Sequence, residues 1–410
     1  MKKVELLAPA GNLEKLKAAI TYGADAVYMG GTSFGLRASA GNFTQEEMIE
    51  AIAFAHERAA KVYITVNIIA HNEDLNSLPE YLLNLQNLGV DALIVADPGI
   101  LRIIKETVPN MEIHLSTQAS NTNWSSAKFW ASQGINRIIL ARELTLIEVS
   151  EMIKKVPEAG FEVFIHGAMC MSYSGRCLLS NYLTGRDANR GKCAQVCRWK
   201  FNLVEENRPN QYFPVVEDER GTYIFNSKDM CAIDLLPELI NIGVDSLKIE
   251  GRMKSIHYVA TITKAYRQAI DNYYKDPNNF VIDEQIRSEL NKPSHRPYFT
   301  GYYNEAPNAD SQSQHYESSG YIRNYEFLGK VLGYDKDKKM ALIEQRNSFA
   351  VGDTAEIMNP KSNNVNISIN SIIDDETGVS LERAPHARQK VWIPIEQPVE
   401  SWGIMRREIK

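Results

Sequence analysis

The sequence predicts an α/β protein: an irregular TIM-like (β/α)8 barrel with a Cys-rich insertion, plus a small C-terminal antiparallel β-barrel. Three observations support this fold class. A short glycine-containing phrase recurs ahead of apolar runs, eight apolar runs are spread among helical patterns in residues 1–300, and the pattern changes to short apolar–polar alternation beyond residue 320. Alternating strands and helices are typical of a parallel α/β domain, whereas successive short strands are typical of a β domain.

The recurring phrase marks the change from helix to strand. It begins at Gly23, Gly89, Gly134 and Gly243, and each glycine follows a segment with helical periodicity. A residue in the left-handed conformation is favoured just after a helix, and glycine adopts it without a steric cost. A short aliphatic or β-branched run then follows each glycine, so every copy predicts a helix, a turn and a strand.

Eight parallel strands are expected in residues 1–300. Their predicted positions are near 4–8, 26–30, 62–67, 91–96, 112–117, 137–141, 162–166 and 246–250. Eight strands favour a TIM-like barrel over an open doubly wound sheet, and no GxGxxG fingerprint follows the first strand. The barrel is expected to be irregular because 79 residues, about 167–245, separate its last two strands.

A second domain is expected at the C-terminal end. A segment rich in Gly, Asn, Ser, Gln and Tyr predicts a linker at 301–320. Short strands are then predicted at 327–334, 340–344, 349–357 and 379–382. They indicate a small antiparallel β-barrel at 321–410. Its 13 Lys/Arg and 13 Asp/Glu residues cancel, so the sequence does not distinguish an adaptor from an RNA-binding module.

Composition indicates a globular protein. Of the 410 residues, 44% are hydrophobic and 23% are charged, which is close to ordinary globular usage. The net charge is −6, so any nucleic-acid binding must come from a local basic patch. No apolar run approaches the ~18–20 residues that span a bilayer, and the N-terminus does not resemble a signal peptide. We expect a cytoplasmic protein that does not bind membranes.

The insertion carries the expected metal site. It holds all the cysteines, which are Cys170, Cys177, Cys193, Cys197 and Cys231, and the first four are spaced C-x6-C-x15-C-x3-C. Structural zinc sites prefer tight C-x2-C pairs, whereas iron–sulfur clusters need four thiolates and tolerate wider loops. The spacing therefore favours a 4Fe–4S cluster over zinc or unligated thiols. Cys231 could replace Cys197 as the fourth ligand, but the short C-x3-C chelate favours Cys197.

Basic residues crowd the same insertion. Between positions 166 and 200 the single acid, Asp187, stands against six basic residues: Arg176, Arg186, Arg190, Lys192, Arg198 and Lys200. This local charge of +5 could compensate a negatively charged cluster. It could equally hold a polyanion beside the cluster, with Tyr173, Tyr182 and Trp199 available to stack on bases. Both interpretations remain open at this point.

Polar residues follow most of the predicted strands. These residues are Asn67, Asp97, Gln118, Arg142, His166, Glu250 and Arg252. Catalytic groups of TIM barrels lie where strands end, at the C-terminal face of the barrel. The sequence therefore predicts an active site at this face of the barrel, although the loops of any protein are rich in polar residues.

Three segments together form a specific signature. They are L-A-P-A-G-N at 7–12, E-x-F-x-x-G-A-M-C-x4-G-x-C-x-L-S at 162–180, and S-L-K-I-E-G-R at 246–252. The signature resembles that of unknown-type peptidase family thirty-two (U32), the collagenase-like peptidases. The match extends over the whole chain, and within the family it most resembles the tRNA 5-hydroxyuridine hydroxylation branch.

This resemblance implies an activity and a set of site residues. The branch converts uridine 34, in the anticodon region of certain tRNAs, to 5-hydroxyuridine without molecular oxygen and with prephenate required. Sister branches hydroxylate a ribosomal RNA cytidine or a quinone precursor. The four cluster cysteines of the family map onto Cys170, Cys177, Cys193 and Cys197, and Cys231 is additional to that set.

Prephenate is a small dicarboxylate, and a site for it needs cations at the strand ends. A guanidinium can bind a carboxylate through two parallel hydrogen bonds, so Arg142 and Arg252 are expected to bind the co-substrate. His166 and Glu250 could then move protons. The alternative is an Arg–Glu ion pair that merely closes the barrel.

The family name implies a peptidase, and the residues of the chain can be compared with what a peptidase needs. A cysteine peptidase needs a low-pKa thiolate and a positioned base. His166 lies four residues before Cys170, but a cysteine that holds a cluster cannot also attack peptides. The chain has no HExxH motif for a zinc peptidase. A peptidase remains the alternative to RNA hydroxylation, and a non-catalytic RNA-binding protein with a structural metal is a third hypothesis.

Overall fold

The computed structural model describes residues 3–31, 34–35, 42–170, 179–186, 193–194, 196, 203–204, 212–213, 228–305 and 321–409. In chain order the first domain contains β1 (Glu5–Pro9), α1 (Leu13–Thr21), β2 (Ala26–Met29), α2 (Gln45–His56), β3 (Lys61–Val66), α3 (Leu78–Leu88), β4 (Ala92–Val95), α4 (Pro98–Thr107), β5 (Ile113–Leu115), α5 (Trp124–Ser132), β6 (Arg137–Ile139), α6 (Leu146–Lys155), β7 (Gly160–Ala168), α7 (Leu179–Thr184), β8 (Leu203–Val204), β9 (Tyr212–Phe213), β10 (Asp229–Cys231), α8 (Leu236–Asn241), β11 (Ser246–Ile249), α9 (Ile256–Lys275), α10 (Glu284–Leu290) and β12 (Tyr298–Phe299). Short 3-10 helices lie at Asp74–Ser77, Thr117–Ala119 and Ile233–Leu235.

Eight parallel strands close into a barrel, which confirms the predicted fold class. Strands β1 to β7 pair in chain order, and β11 completes the barrel by pairing with both β7 and β1. Each of these strands overlaps its predicted position. The buried aliphatic and aromatic side chains of the strands and surrounding helices form one continuous core.

The glycines of the recurring phrase have the backbone conformation that their position requires. Their φ angles are +104° at Gly23, +78° at Gly89, +79° at Gly134 and +93° at Gly243. Residues with a β-carbon rarely adopt this region. The phrase therefore ends each helix and directs the chain into the next strand, which explains why its repeat predicted the barrel.

Strand β7 is longer than its neighbours and extends beyond the barrel. Its last residues pair antiparallel with β10, which in turn pairs with β12. The insertion therefore leaves the barrel at the end of β7 and returns along the same strand. Residues 301–305, at the start of the predicted linker, lie against the barrel, where Tyr303 is buried and accepts a hydrogen bond from Leu146 N. Residues 306–320 lie outside the described part.

The C-terminal domain is an antiparallel sheet that curves around its own core as a half-barrel. Its strands are β13 (Tyr325–Asp335), β14 (Met340–Gln345), β15 (Phe349–Ala350), β16 (Thr354–Met358), β17 (Val365–Ser368), β18 (Ile372–Asp374), β19 (Ser380–Leu381), β20 (Arg383–Ala384), β21 (Lys390–Pro394) and β22 (Ile404–Glu408). Eight of them follow the order β17-β16-β22-β13-β14-β21-β18-β19, while β15 pairs with β20. Inward residues such as Ile343 and Ile393 are fully buried.

Buried hydrogen bonds and ion pairs connect the two domains. Tyr22 of α1 donates a hydrogen bond to Met358 O at 2.7 Å. Arg406 of β22 is fully buried and pairs with Glu289 at 2.6 Å and Glu356 at 2.9 Å. The C-terminal domain therefore packs directly on helices α1 and α10. In the part of the chain that is described, no helix is long and apolar enough to cross a membrane.

Candidate active site at the barrel mouth

The carboxyl ends of the barrel strands converge at one end, where TIM barrels carry their chemistry. We call this end the mouth and define it by Gly30, Asn67, Ser116, Arg142, Glu250 and Arg252. Asn67 Nδ2 donates to Ser116 Oγ at 3.2 Å, so the amide joins the ends of β3 and β5. Asp97 instead accepts hydrogen bonds from Gly99 N and Ile100 N and caps α4. Gln118 is half-buried in the 3-10 helix after β5.

Arg252 reaches across the mouth from the end of β11. Its side chain is only 4% exposed. Nη1 donates to Thr65 Oγ1 and Nη2 to Asn42 Oδ1, both at 3.3 Å. A β-carbon at Gly30 would lie 2.5 Å from Nη2, so this glycine leaves the space that the guanidinium occupies. The Arg252 guanidinium is therefore buried above β2 and β3, and two of its hydrogen bonds go to neutral oxygen atoms.

Arg142 supplies a second cation on the other side of the mouth. Its Nη1 donates to Ala168 O at 2.7 Å, and its guanidinium lies 5.0 Å from the ring centre of Phe164. Both contacts are with β7, next to the point where the insertion begins. The side chain is half-buried, so this charge lies at the boundary between the mouth and the insertion.

Glu250 is held at the mouth by a residue that the sequence did not single out. Tyr28 of β2 donates from its hydroxyl to Glu250 Oε2 at 3.2 Å and to Ile249 O at 3.0 Å. Gly167 packs closely against Glu250 with a φ of +108°. Tyr28 lies within the strand that the sequence predicts near 26–30. The sequence signal for this role was the hydroxyl group of a tyrosine in a strand whose other residues are apolar.

His166 lies outside the mouth, in the layer between the barrel and helix α9. It is 1% exposed, and its ring centre lies 6.0 Å from Tyr258, 5.6 Å from Tyr266 and 5.2 Å from Tyr298. Burial lowers the pKa of His166 to about 3, with further contributions from the nearby His295 and Lys254 charges. The imidazole is therefore neutral at physiological pH.

A strand irregularity explains why His166 faces away from the mouth. Lys248 pairs with Phe164, whereas the next residue, Ile249, pairs with His166. The extra residue in β7 reverses the alternation of side chains beyond it. Phe164 accordingly points into the barrel beneath the Lys248 ammonium, 5.5 Å from its ring centre, while His166 points toward α9.

Below the mouth, the barrel interior contains a network of buried charges, which we call the floor network. Lys248 Nζ contacts Glu162 Oε1 at 2.7 Å, and Arg137 Nη1 contacts Glu162 Oε2 at 3.3 Å. Arg137 also pairs with Glu5, which accepts hydrogen bonds from Ser246 and Tyr63. Burial opposes ionisation of Glu162, but Lys248 and Arg137 lower its pKa below the usual value. Glu162 and Lys248 of the signature therefore belong to the barrel interior.

Three cysteines, Cys170, Cys193 and Cys231, lie within the described residues, and all three are half-buried. Cys170 lies two residues beyond β7 and is half-buried, as is Cys193. Cys177 and Cys197 lie outside the described residues. Cys231 belongs to β10, opposite His166, and burial raises the pKa of its thiol to about 11. Among the described residues no group of three or more His, Cys, Asp or Glu side chains has metal-binding geometry.

A buried serine holds part of the insertion together near Cys193. Ser180 Oγ donates to Arg186 O at 2.6 Å and accepts from Ala194 N at 2.9 Å. Helix α7 is thereby tied to the residue after Cys193, and Arg186 is exposed beside it. The other predicted RNA-binding residues lie outside the described part of the chain: Arg176, Arg190, Lys192, Arg198 and Lys200.

Two protein-family models match the chain. The family described as peptidase family U32 matches residues 11–313, and the peptidase family U32 C-terminal domain matches residues 323–406.

Three relatives have names that refer to RNA hydroxylation. The chain is 45% identical to tRNA hydroxylation protein P1 of Bacillus subtilis, over 99% of this chain and 95% of the relative. It is 37% identical to tRNA hydroxylation protein P of Escherichia coli, over 98% of this chain and 95% of the relative. It is also 39% identical to the 23S rRNA 5-hydroxycytidine C2501 synthase of E. coli, over 70% of this chain and 42% of that protein.

Proposed function

The chain belongs to peptidase family U32, as its signature segments predicted, and we propose that it is an RNA hydroxylase that acts on tRNA. The observation that carries this proposal is the 45% identity over 99% of the chain to a relative named for tRNA hydroxylation. We further propose that the target is wobble uridine 34, that the product is 5-hydroxyuridine, and that the reaction requires prephenate and uses no molecular oxygen.

The metal part of the proposal is a 4Fe–4S cluster held by Cys170, Cys177, Cys193 and Cys197. Thiolates are the ligands that such clusters require. Cys170 and Cys193 are both half-buried, as suits groups that are shielded from water yet open to a cofactor. When bound, the cluster would supply one-electron transfer.

The mouth residues would bind and orient the co-substrate. Arg252 and Arg142 lie on opposite sides of the mouth and could each bind one carboxylate of a dicarboxylate such as prephenate. Glu250, held by Tyr28, is placed to accept or return a proton at its Oε2 atom. His166 is neutral and enclosed by tyrosines, so it is not part of this mechanism. The same placement removes the base that a peptidase built on Cys170 would need.

The proposal is tested by nucleoside mass spectrometry of tRNA. In a host strain that lacks every U32 relative, expression of the chain is expected to restore 5-hydroxyuridine derivatives at position 34. A strain that also cannot make prephenate should show no restoration. If the wild-type chain restores no hydroxylated nucleoside while the purified protein cleaves peptides, the peptidase alternative is correct.

Conservative replacement of the mouth arginines is expected to reduce hydroxylation strongly. Lysine at position 252 could not contact both Thr65 and Asn42 and still bind a carboxylate through paired hydrogen bonds. We expect kcat/KM for prephenate to fall ~10–100-fold in Arg252→Lys and in Arg142→Lys, with iron content unchanged. Arg102→Lys, on the exposed face of α4, is the control. Loss of fold or iron, with normal activity of the remaining holoenzyme, would show that the arginine is structural.

Charge reversal in the insertion is expected to weaken tRNA binding. Replacement of Arg186, Arg190 and Lys192 by glutamate should weaken it at least ~10-fold, because each phosphate contact releases counterions. Wild-type affinity should also fall as salt rises from about 50 to 200 mM. Arg102→Glu, outside the insertion, is the matched control. Wild-type affinity that does not change with salt would indicate that the basic residues only compensate the cluster.

A further inference from the structure

A pocket lies on the outer wall of the barrel, between helices α4 and α5. Its volume is about 460 Å³, which is within the range of small-molecule sites. The wall that α5 forms carries the rings of Phe129 and Trp130, whose centres lie 5.4 Å apart. The wall that α4 forms carries Leu101 and a short row of charged side chains. The described lining residues are separate from those of the mouth, so this is a second concave site.

The charged wall contains a cation that no carboxylate balances. Arg102 Nε donates to Glu106 Oε1 at 2.8 Å, so these two charges compensate each other. Lys105 Nζ donates to Gln133 O at 3.1 Å and forms no ion pair within the described residues. An ammonium carries three N–H donors, and this hydrogen bond uses one of them. The pocket therefore offers a positive charge and free donors to an anion.

The aromatic wall offers an exposed ring to a ligand. Among the described residues of α4 and α5, the exposed large apolar side chains are Trp124 at 39% and Phe129 at 56%. Lys155 of α6 packs on Trp124, with Nζ 4.5 Å from the ring centre. Phe129 instead lines the pocket together with the buried Leu101. Aromatic rings pack favourably against one another, so this wall matches a flat aromatic ligand.

We infer that this pocket binds a small aromatic carboxylate, with its ring against Phe129 and Trp130 and its carboxylate at Lys105. A protein partner fits the pocket less well, because a stable protein interface buries more than ~1,000 Å². The residues one turn away from Phe129 on α5, Ser125 and Ser132, are polar and exposed, so the apolar surface ends at the pocket. This inference does not depend on the proposed function.

The test uses three probes on the full chain, purified anaerobically. Naphthylacetate carries a ring and a carboxylate, naphthylethanol lacks the charge, and acetate lacks the ring. In calorimetry we expect naphthylacetate to bind with a Kd of ~0.1–1 mM, as is usual for a ligand of this size. Naphthylethanol should bind ~10-fold more weakly, because it loses the hydrogen bond between two charged groups. Acetate should show no measurable binding.

Two variants with matched controls locate the bound probe. Phe129→Ala removes the exposed ring and should weaken both naphthyl probes ~5-fold. Lys105→Met keeps most of the side chain and removes the charge, so it should weaken naphthylacetate ~10-fold and leave naphthylethanol unchanged. Lys105→Arg keeps the charge and should keep naphthylacetate binding. The controls are Ile147→Ala, at an exposed apolar residue of α6, and Lys128→Met, at an exposed lysine of α5. Neither control should change any affinity.

Several outcomes would overturn the inference. A wild-type chain that binds no naphthylacetate, or that binds naphthylethanol equally well, would do so. A lower melting temperature of Lys105→Met, with both naphthyl probes weakened equally, would show that Lys105 only caps the end of α5 through Gln133 O. Dimers that form as the concentration rises and are lost in Phe129→Ala, without probe binding, would assign the pocket to a second copy of the chain.

Discussion

Replacement of Cys170, Cys177, Cys193 or Cys197 by alanine is expected to yield protein without iron and without tRNA hydroxylation. Each thiolate would hold one corner of the cluster, and a cluster with three protein ligands is exposed to loss or oxidation. Iron and sulfide content after anaerobic purification, together with absorbance near ~400 nm, measures the effect. The melting temperature of the apoprotein should change little in the Cys170 and Cys193 variants, because neither of these two described cysteines belongs to the barrel core.

Cys231→Ala is the matched control and is expected to retain iron. Cys231 is half-buried on β10 with its thiol 3.9 Å from the Tyr266 hydroxyl, and desolvation by the surrounding protein raises the pKa of that thiol to about 11. A thiol in that state is a poorer ligand than one that ionises easily. Loss of iron in Cys231→Ala, with iron retained in Cys197→Ala, would show that Cys231 is the fourth ligand. One ligand, Cys170, would then lie two residues beyond the end of β7 and another, Cys231, on the neighbouring strand β10.

The barrel could be predicted because its signals are local. Gly23, Gly89, Gly134 and Gly243 each mark a helix end with positive φ, and a glycine followed by an apolar run needs no knowledge of distant residues. The closing pair of β11 with β1 then follows from the count of strands. The sequence indicated a small antiparallel β-barrel at the C-terminal end, and the sheet there is a half-barrel; how far a sheet closes depends on contacts between distant strands, which the sequence does not show.

The arrangement of the site could be predicted only in part, because single-residue irregularities decide which way side chains point. The sequence placed His166 at a strand end, but the shift between Lys248 and Ile249 turns its ring toward α9. A shift of one residue moves a side chain to the opposite face of a sheet. The role of Tyr28 depends on a partner far away in the chain, Glu250, which no spacing rule connects to it.

Neutralisation of Glu162 is expected to cause the largest loss of stability of any single change in the floor network. Glu162 is fully buried and pairs with Lys248 at 2.7 Å and Arg137 at 3.3 Å. Its removal leaves a buried ammonium without its anion, and breaking such a pair typically costs ~3–5 kcal/mol. Urea unfolding of Glu162→Ala should show this loss in the free energy of unfolding. Glu106→Ala, which breaks the exposed pair with Arg102 on α4, should show no measurable change.

A double variant separates charge balance from packing. Glu162→Leu with Lys248→Met removes one anion and one cation together, while Arg137 keeps its contact with Glu5. Replacement of a buried ion pair by apolar residues is often neutral or stabilising, so the double variant should recover most of the stability lost in Glu162→Ala. An equal loss in both variants would indicate that the shape of the side chains, rather than their charge, matters.

The conservative variant Glu162→Gln decides whether this signature residue is structural or catalytic. It preserves the size of the side chain and removes the charge, so we expect lower stability, but normal iron content and normal kcat in the fraction that folds. Glu162 reaches only Lys248 and Arg137 in the barrel interior, below the mouth where Arg252 and Glu250 lie. A Glu162→Gln protein that is as stable as the wild type but inactive would contradict this assignment. The floor network would then take part in the reaction through Lys248, whose ammonium lies 4.4 Å from the ring centre of Tyr28, the residue that holds Glu250.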